Sequence, residues 1–227
     1  APADHAARSE ALVARLAEAA AEREWSTALD LGTGRGSNLR WLAPRLPGVE
    51  RWVALDHDAA LLSEIEDTWD GSEARSGAAL RTVQGDLARE GLAEIAAGAD
   101  IVTASALLDL VSAEWAGRLA RACADRRAGA LFALSWDGTA ELAPADPMAT
   151  EVLAAVREHQ RREKGTGVAL GPSAPEVTAD AFRAVGMEVF TEPTPWRLAG
   201  AGQGALMLAL VEGWVEAASE LAPSRSK

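Results

Sequence analysis

The chain has 227 residues, 48% of them apolar and 25% charged, a globular composition that argues against disorder or a fibrous repeat and suffices for a substantial core. Its 34 acidic and 22 basic side chains give a formal net charge of -12, which repels phosphate backbones, so nucleic acid is not an expected partner. Its single cysteine, Cys123, excludes an intrachain disulfide; the longest apolar stretch, Ala205 to Val211, is too short to span a bilayer; and the start carries no basic-then-apolar leader pattern, so a cytoplasmic protein with no membrane partner is expected.

From His5 to Trp25, Leu12, Val13 and Leu16 recur at helical spacing among good helix formers, predicting one amphipathic amino-terminal helix over 5–25. Short β-type runs then alternate with Ala-rich helical segments: Thr27 to Leu31, Trp52 to Asp56, Leu80 to Gln84, Ile101 to Ala104, Leu131 to Trp136 and Met187 to Thr191. That alternation predicts an α/β protein with a doubly wound, mainly parallel sheet covered by helices on both faces. Between the fifth and sixth runs, residues 138–178 form a helical, lid-like insertion, far longer than the usual αβ connection of about 2–6 residues. Asp146 as N-cap and Pro147 in the first turn open a helix there, with Met148, Val152 and Val156 on one stripe, and Gly165 and Gly167 stop it after about Glu163. Pro193 and Pro195 break the sixth run; Trp196 to Leu198 either resumes it or forms a short seventh strand, and otherwise no seventh is expected. Beyond Ala205, Leu206, Leu210 and Trp214 repeat every fourth residue, as do Glu212, Glu216 and Glu220 on another face, which favours helix. The expected organisation is one domain over 1–227, with its binding core at 26–137 and a carboxyl-terminal part at 179–227.

The strongest local signal is Ala28-Leu-Asp-Leu-Gly-Thr-Gly-Arg-Gly36, an acid two residues before three alternate glycines, directly after an apolar strand. Glycines at 32, 34 and 36 permit a tight turn and close approach of a ligand to the main chain, with free N–H groups of the next helix beyond. Asp56 ends the second run, 20 residues past Gly36, where a carboxylate can accept both hydroxyls of a ribose. A third element, Gln84-Gly-Asp-Leu87, ends the next run.

In this order and at these strand ends, the three elements resemble the motifs of class I S-adenosylmethionine-dependent methyltransferases. The resemblance implies a Rossmann-like fold, S-adenosylmethionine as cofactor and S-adenosylhomocysteine as product. It places Asp30 near the cofactor's amino group, directly or through water, with Gly32, Thr33, Gly34, Gly36 and Asn38 around the methionine part. Asp56 then takes the ribose, His57 packs against the adenine, Gly85, Asp86 and Leu87 meet the adenine edge, and Ser105 completes the cofactor set. A dinucleotide loop more typically reads Gly-x-Gly-x-x-Gly, whereas position 37 here is Ser.

The acceptor is expected beside the fourth strand's end, where Ser105, Ala106, Leu108 and Asp109 emerge. Asp109 is either a proton acceptor for the nucleophile or the cap of a helix starting near Ser112. Trp136 and Asp137 read equally as an acceptor wall or as core packing plus a turn before Gly138. His159 extends the stripe of the insertion helix, and Arg157, Arg161, Arg162 and Lys164 form a cationic group; they are a solvated face, or a lid hinged at Gly165 to Gly167 whose cations hold an anionic acceptor, with His159 and Arg161 as the candidate substrate-binding residues. The histidines, His5, His57 and His159, are scattered, so no metal site is expected, and neither a Ser between glycines nor a phosphate loop with Lys is present. The preferred function is methyl transfer to a small molecule, a carboxylated one before a hydroxylated or amino one. The rivals are another nucleotide-dependent enzyme of the same frame and a catalytically silent cofactor-binding protein whose insertion binds a protein partner. The sequence does not fix the oligomeric state.

Overall fold

The computed structural model describes residues 2–69, 77–89, 91–92 and 96–221. In chain order its elements are α1 (Pro2–Ala7), α2 (Glu10–Glu22), β1 (Thr27–Leu31), α3 (Ser37–Leu42), β2 (Arg51–Asp56), α4 (Ala59–Thr68), β3 (Ala79–Gln84), β4 (Ile101–Ser105), α5 (Ala113–Arg126), β5 (Gly129–Ala133), α6 (Pro147–Gln160), α7 (Ala174–Ala184) and α8 (Gly204–Leu221). The five strands form one sheet in the order β3-β2-β1-β4-β5, and all four ladders are parallel.

Side chains alternate between the faces of a strand, and the sheet uses both. Ala28, Trp52, Ala54 and Ile101 pack with Val13 and Leu16 of α2, Leu39 of α3 and Ile65 of α4. Leu29, Leu31, Val53, Leu55, Val102 and Ala104 pack on the opposite side with Trp115 and Leu119 of α5 and Phe182 of α7. This is the Rossmann-like, doubly wound frame. Chain order reverses between β1 and β4, which opens a crevice at the carboxyl ends of those strands.

Four expectations are corrected. The single amino-terminal helix is two: the chain breaks at Arg8 and Ser9, and the Ser9 hydroxyl caps α2 by accepting from the Leu12 N–H at 3.0 Å. The fifth strand is Gly129–Ala133 rather than Leu131 to Trp136, and Trp25 packs against its first residue, where a Cβ would stand 2.5 Å from the indole. Met187 to Thr191 is not a strand. Val185, Met187 and Val189 do alternate inward against the core, but the segment joins no ladder and is pinned to α2 by side chains instead, with Arg15 over the Phe190 ring at 4.2 Å and the Ser9 hydroxyl donating to Glu192. The insertion therefore follows the last described strand, and no seventh strand is present among the described residues.

Within the insertion, Asp146 caps α6 as expected, accepting from the Met148 N–H at 2.8 Å. The buried stripe is Leu153 and Val156, with Met148 69% exposed. A strict four-residue repeat drifts about 40° per step around a helix of 3.6 residues per turn, so Met148 leaves the face that Val156 occupies. The carboxyl-terminal helix matches its expected stripe: Leu206, Leu210 and Trp214 are half-buried. No described helix is long and apolar enough to cross a membrane.

Cys123 is fully buried on α5, and burial pushes its thiol up to about 12, so at neutral pH it is an uncharged core side chain. Ser112 caps the same helix by accepting from the Trp115 N–H at 3.2 Å. Ser112→Ala should cost about 1 kcal/mol of stability. Urea unfolding checks this: the midpoint falls at unchanged slope if the cap acts as described, and an unmoved midpoint would show that it does not.

Candidate functional site

Asp30 ends up as the fastener of the glycine loop. Its carboxylate is fully buried and accepts from Thr33 Oγ1 at 2.7 Å, Asn38 Nδ2 at 2.6 Å and Thr103 Oγ1 at 2.8 Å, tying the loop, α3 and β4 together. Burial pushes its pKa above the usual carboxylate range, opposed by those three bonds and by the nearby Arg8 guanidinium. Asp30 has no exposed surface.

The three glycines differ in what surrounds them. A Cβ on Gly32 would meet Leu107 at 3.3 Å, and one on Gly36 would meet Arg40 Nη1 at 2.9 Å and Ile65 at 3.3 Å. Gly34, at φ +54, has nothing within 4 Å of that position. The middle of the loop thus faces open space with bare main chain. Its N–H donates to Asp56 Oδ2 at 2.8 Å, which locks the loop to the tip of β2. The N–H groups of Thr33, Gly34 and Gly36 are all spent within the protein, on the Leu55 carbonyl, on Asp56 and on the Thr33 carbonyl, and α3 beyond has only six residues.

Asp56 is 6% exposed and also accepts from the Asp58 N–H at 3.0 Å through Oδ1, which lies 3.1 Å from His57 Nδ1. A carboxylate has about four lone-pair sites, so capacity for hydroxyl donors remains. His57 stands exposed beside it, and Gln84 Nε2 donates to its carbonyl at 3.2 Å. The Gly85 N–H donates to the Asp56 carbonyl at 2.9 Å, which stitches the tips of β2 and β3 together. Asp86 closes its own turn, accepting from the Ala88 N–H at 2.9 Å and pairing with Arg89 at 3.2 Å, and the Leu87 carbonyl accepts from the Trp115 indole N–H at 2.8 Å. All the acids of the expected cofactor set therefore stand on the carboxyl ends of β1, β2 and β3.

At the tip of β4, Ser105 Oγ accepts from Arg8 at 2.9 Å. Ala106 and, at the tip of β5, Leu134 both take left-handed conformations at φ +53 and +58, strained for residues with side chains. The turn at Ala106 shifts the facing of the next residues. Leu107, which no signal in the sequence singles out, lies against Gly32, whereas Leu108 is 2% exposed in the core and is not a wall of the crevice. Asp109 does not cap the helix, since Ser112 does. It is half-buried, and burial pushes its carboxyl pKa up, opposed by its own main-chain amide and by the Lys164 ammonium.

Most of the remaining acceptor candidates have partners of their own. Asp137 accepts from the Thr139 N–H at 2.8 Å and hydroxyl at 2.6 Å, and Trp136 donates to the Thr139 carbonyl at 3.3 Å, so both close a turn. His159 and Arg162 each meet Glu220 of α8 at 2.9 Å, and Arg157 donates to the Gly138 carbonyl at 2.7 Å. Arg161 is exposed, its stem against Gly171. The turn at Gly165 to Gly167 is fastened rather than free: both N–H groups donate to Glu163 at 2.9 Å, and Thr166 Oγ1 accepts from the Ser112 N–H at 3.0 Å. Among the described residues, no group of three or more His, Cys, Asp or Glu is placed to hold a metal ion.

No protein-family model and no curated protein matches the chain. Solved structures do. An S-adenosylmethionine-dependent methyltransferase from Clostridium acetobutylicum ATCC 824 is 16% identical, with 55% of this chain and 50% of that one covered at a TM-score of 0.41. An O-methyltransferase family protein from Burkholderia thailandensis is 18% identical, with 80% and 51% covered at 0.49. The mitomycin 7-O-methyltransferase MmcR is 19% identical, with 75% and 46% covered at 0.45. The likeness is one of fold. The chain spans about half the length of each of these structures.

Proposed function

We propose that the crevice binds S-adenosylmethionine and that the protein transfers its methyl group to a small-molecule acceptor, a carboxylated compound first. The observation that carries this reading is Gly34: main chain bare to open space, held at positive φ, with its N–H locked onto the acid that ends the neighbouring strand. In this reading the bare Cα of Gly34 and the Asn38–Asp30 network receive the amino-acid end, the free lone pairs of Asp56 accept the ribose hydroxyls, and His57, Asp86 and Leu87 border the adenine. Leu107 is the apolar neighbour of the loop. When bound, S-adenosylmethionine supplies a methyl carbon activated by a sulfonium: the nucleophile's lone pair forms the new bond, and the C–S electron pair stays on sulfur, giving S-adenosylhomocysteine. The chain's share of that displacement is alignment and dehydration of the nucleophile.

Asp109 adds a base where the acceptor needs one. A carboxylate acceptor is already a nucleophile, whereas an amine or hydroxyl must lose a proton, and a half-buried carboxyl with a raised pKa is the better acceptor for it. Asp109 acts ionised, so kcat for an amine or hydroxyl acceptor should fall as pH drops through a value above the usual carboxylate range. Asp109→Asn should lower that kcat roughly 100-fold and leave a carboxylate acceptor untouched. Equal losses on both acceptor types would remove the base role. The turnover test uses methyl-labelled S-adenosylmethionine with panels of small carboxylated, hydroxylated and amino compounds. Label transferred to a carboxylate supports the reading, and tight cofactor binding with no transfer to any panel would favour the silent binding protein.

A further inference from the structure

Three of the four Lys and Arg side chains in the insertion point away from the strand tips or are spent: Arg162 is held by Glu220, Arg157 by the Gly138 carbonyl, and Arg161 is exposed beside Gly171. Lys164 differs, because the turn that follows α6 lies against those tips. Thr166 Oγ1 accepts from the Ser112 N–H at 3.0 Å, just past β4, and a Cβ on Gly165 would stand 3.8 Å from Ala88, the residue after the expected adenine neighbours Asp86 and Leu87. Main chain fixes the turn on both sides: the Lys164 N–H donates to the Gly167 carbonyl at 3.2 Å, the Ala169 N–H to the Arg162 carbonyl at 3.0 Å and the Leu170 N–H to the Val111 carbonyl at 2.8 Å. The backbone carrying Lys164 is therefore set between the turn after β3 and the segment after β4 that holds Asp109. The Lys164 side chain is half-buried, and its ammonium donates to Gln160 Oε1 at 2.8 Å. An ammonium has three donors, and this contact spends one of them on a neutral oxygen. Among the described residues Lys164 makes no ion pair, yet its charge acts on the half-buried Asp109 carboxyl. An acid and a cation that sense each other without touching leave a separation with opposite charge at its two ends. A carboxylate entering it is drawn to Lys164 and turned away from Asp109, so it is oriented as well as held.

We propose that Lys164 is the binding residue for the carboxylate of the methyl acceptor, an inference that rests on the methyltransferase reading above and gives the substrate class named there its own side chain. Lys164 then sets specificity, because a neutral acceptor of the same shape forgoes the charge-assisted contact. The insertion serves as a fixed bracket rather than a hinged lid: its turn is fastened before any acceptor arrives, so little ordering cost is drawn from binding.

The probes are acetate, butyrate and benzoate, each paired with its primary amide and titrated by calorimetry into the chain saturated with S-adenosylhomocysteine. At least one acid should bind about 30-fold more tightly than its amide. Lys164→Met should erase that preference by weakening the acid alone, while affinities for the amide and for S-adenosylhomocysteine, which also report that the variant is folded, stay unchanged. Lys164→Arg should keep part of the preference, and Arg161→Met, which removes an exposed cation from the same insertion, should keep all of it. A wild-type chain that prefers none of the acids to its amide, a preference that persists in Lys164→Met, or one lost equally in Arg161→Met would overturn the inference. Failure of the wild-type chain to bind S-adenosylhomocysteine in the first place would overturn the cofactor reading and this inference with it, which tells the two failures apart.

Discussion

Asp56→Ala should weaken S-adenosylhomocysteine binding roughly 1,000-fold, about 4 kcal/mol. Two hydroxyl donors on an ionised acceptor contribute about 1.5–3 kcal/mol each, and the truncation removes both. The same carboxylate also holds the Gly34 N–H at 2.8 Å, so its loss frees the loop that the ligand must meet in one conformation. Asp56→Asn separates the contributions. The amide fills the same volume and keeps one oxygen; with that oxygen on the Gly34 N–H the loop should stay near its place, while the NH2 faces the Asp58 N–H and the ribose loses one acceptor. Titration of both variants, with thermal unfolding to follow the loop's share of stability, checks this. Affinity unchanged in Asp56→Ala would remove the ribose from this carboxylate.

Gly34→Val should have an effect at least as large, roughly 1,000-fold or complete loss of binding, by filling the open space over the loop. The free protein should tolerate the substitution at a cost of about 1–3 kcal/mol, since its Cβ meets no atom within 4 Å and the strain is that of a β-branched residue at φ +54. Gly186 supplies the control: it sits at φ +82, also has nothing within 4 Å of a Cβ, and lies just past α7, outside the expected cofactor set. Gly186→Val should cost similar stability and leave binding intact. Equal affinities in the two variants would mean that no ligand approaches Gly34.

How far the site was legible in the sequence depended on whether a residue's surroundings are local. The ends of β1 and β2 fall at Leu31 and Asp56 as expected, because apolar alternation and the glycines after Leu31 act within a few residues. Arg8 was not legible, since its partners Asn38 and Ser105 are 30 and 97 residues away; the one nearby signal was Ser9, whose capping hydroxyl marks the break in an otherwise helical run. Leu108, expected beside the acceptor, is buried in the core, and Leu107 lies against Gly32 instead; the left-handed turn at Ala106 just before them is one that no propensity of Ala announces. His159 and Arg162 have the look of lid cations in the sequence because Glu220, some 60 residues on, is too distant for any local pattern to place it opposite them. Met187 to Thr191 had a strand's alternation, but alternation reports burial of one face, and a strand also needs a ladder partner.

The methyltransferase reading stands or falls on the crevice taking a sulfonium nucleoside. Calorimetric titration of the wild-type chain with S-adenosylhomocysteine and, separately, with a nicotinamide dinucleotide tests it directly. The expected result is heat that saturates at one S-adenosylhomocysteine per chain and none with the dinucleotide; no saturable heat with S-adenosylhomocysteine, or saturation by the dinucleotide instead, would contradict it.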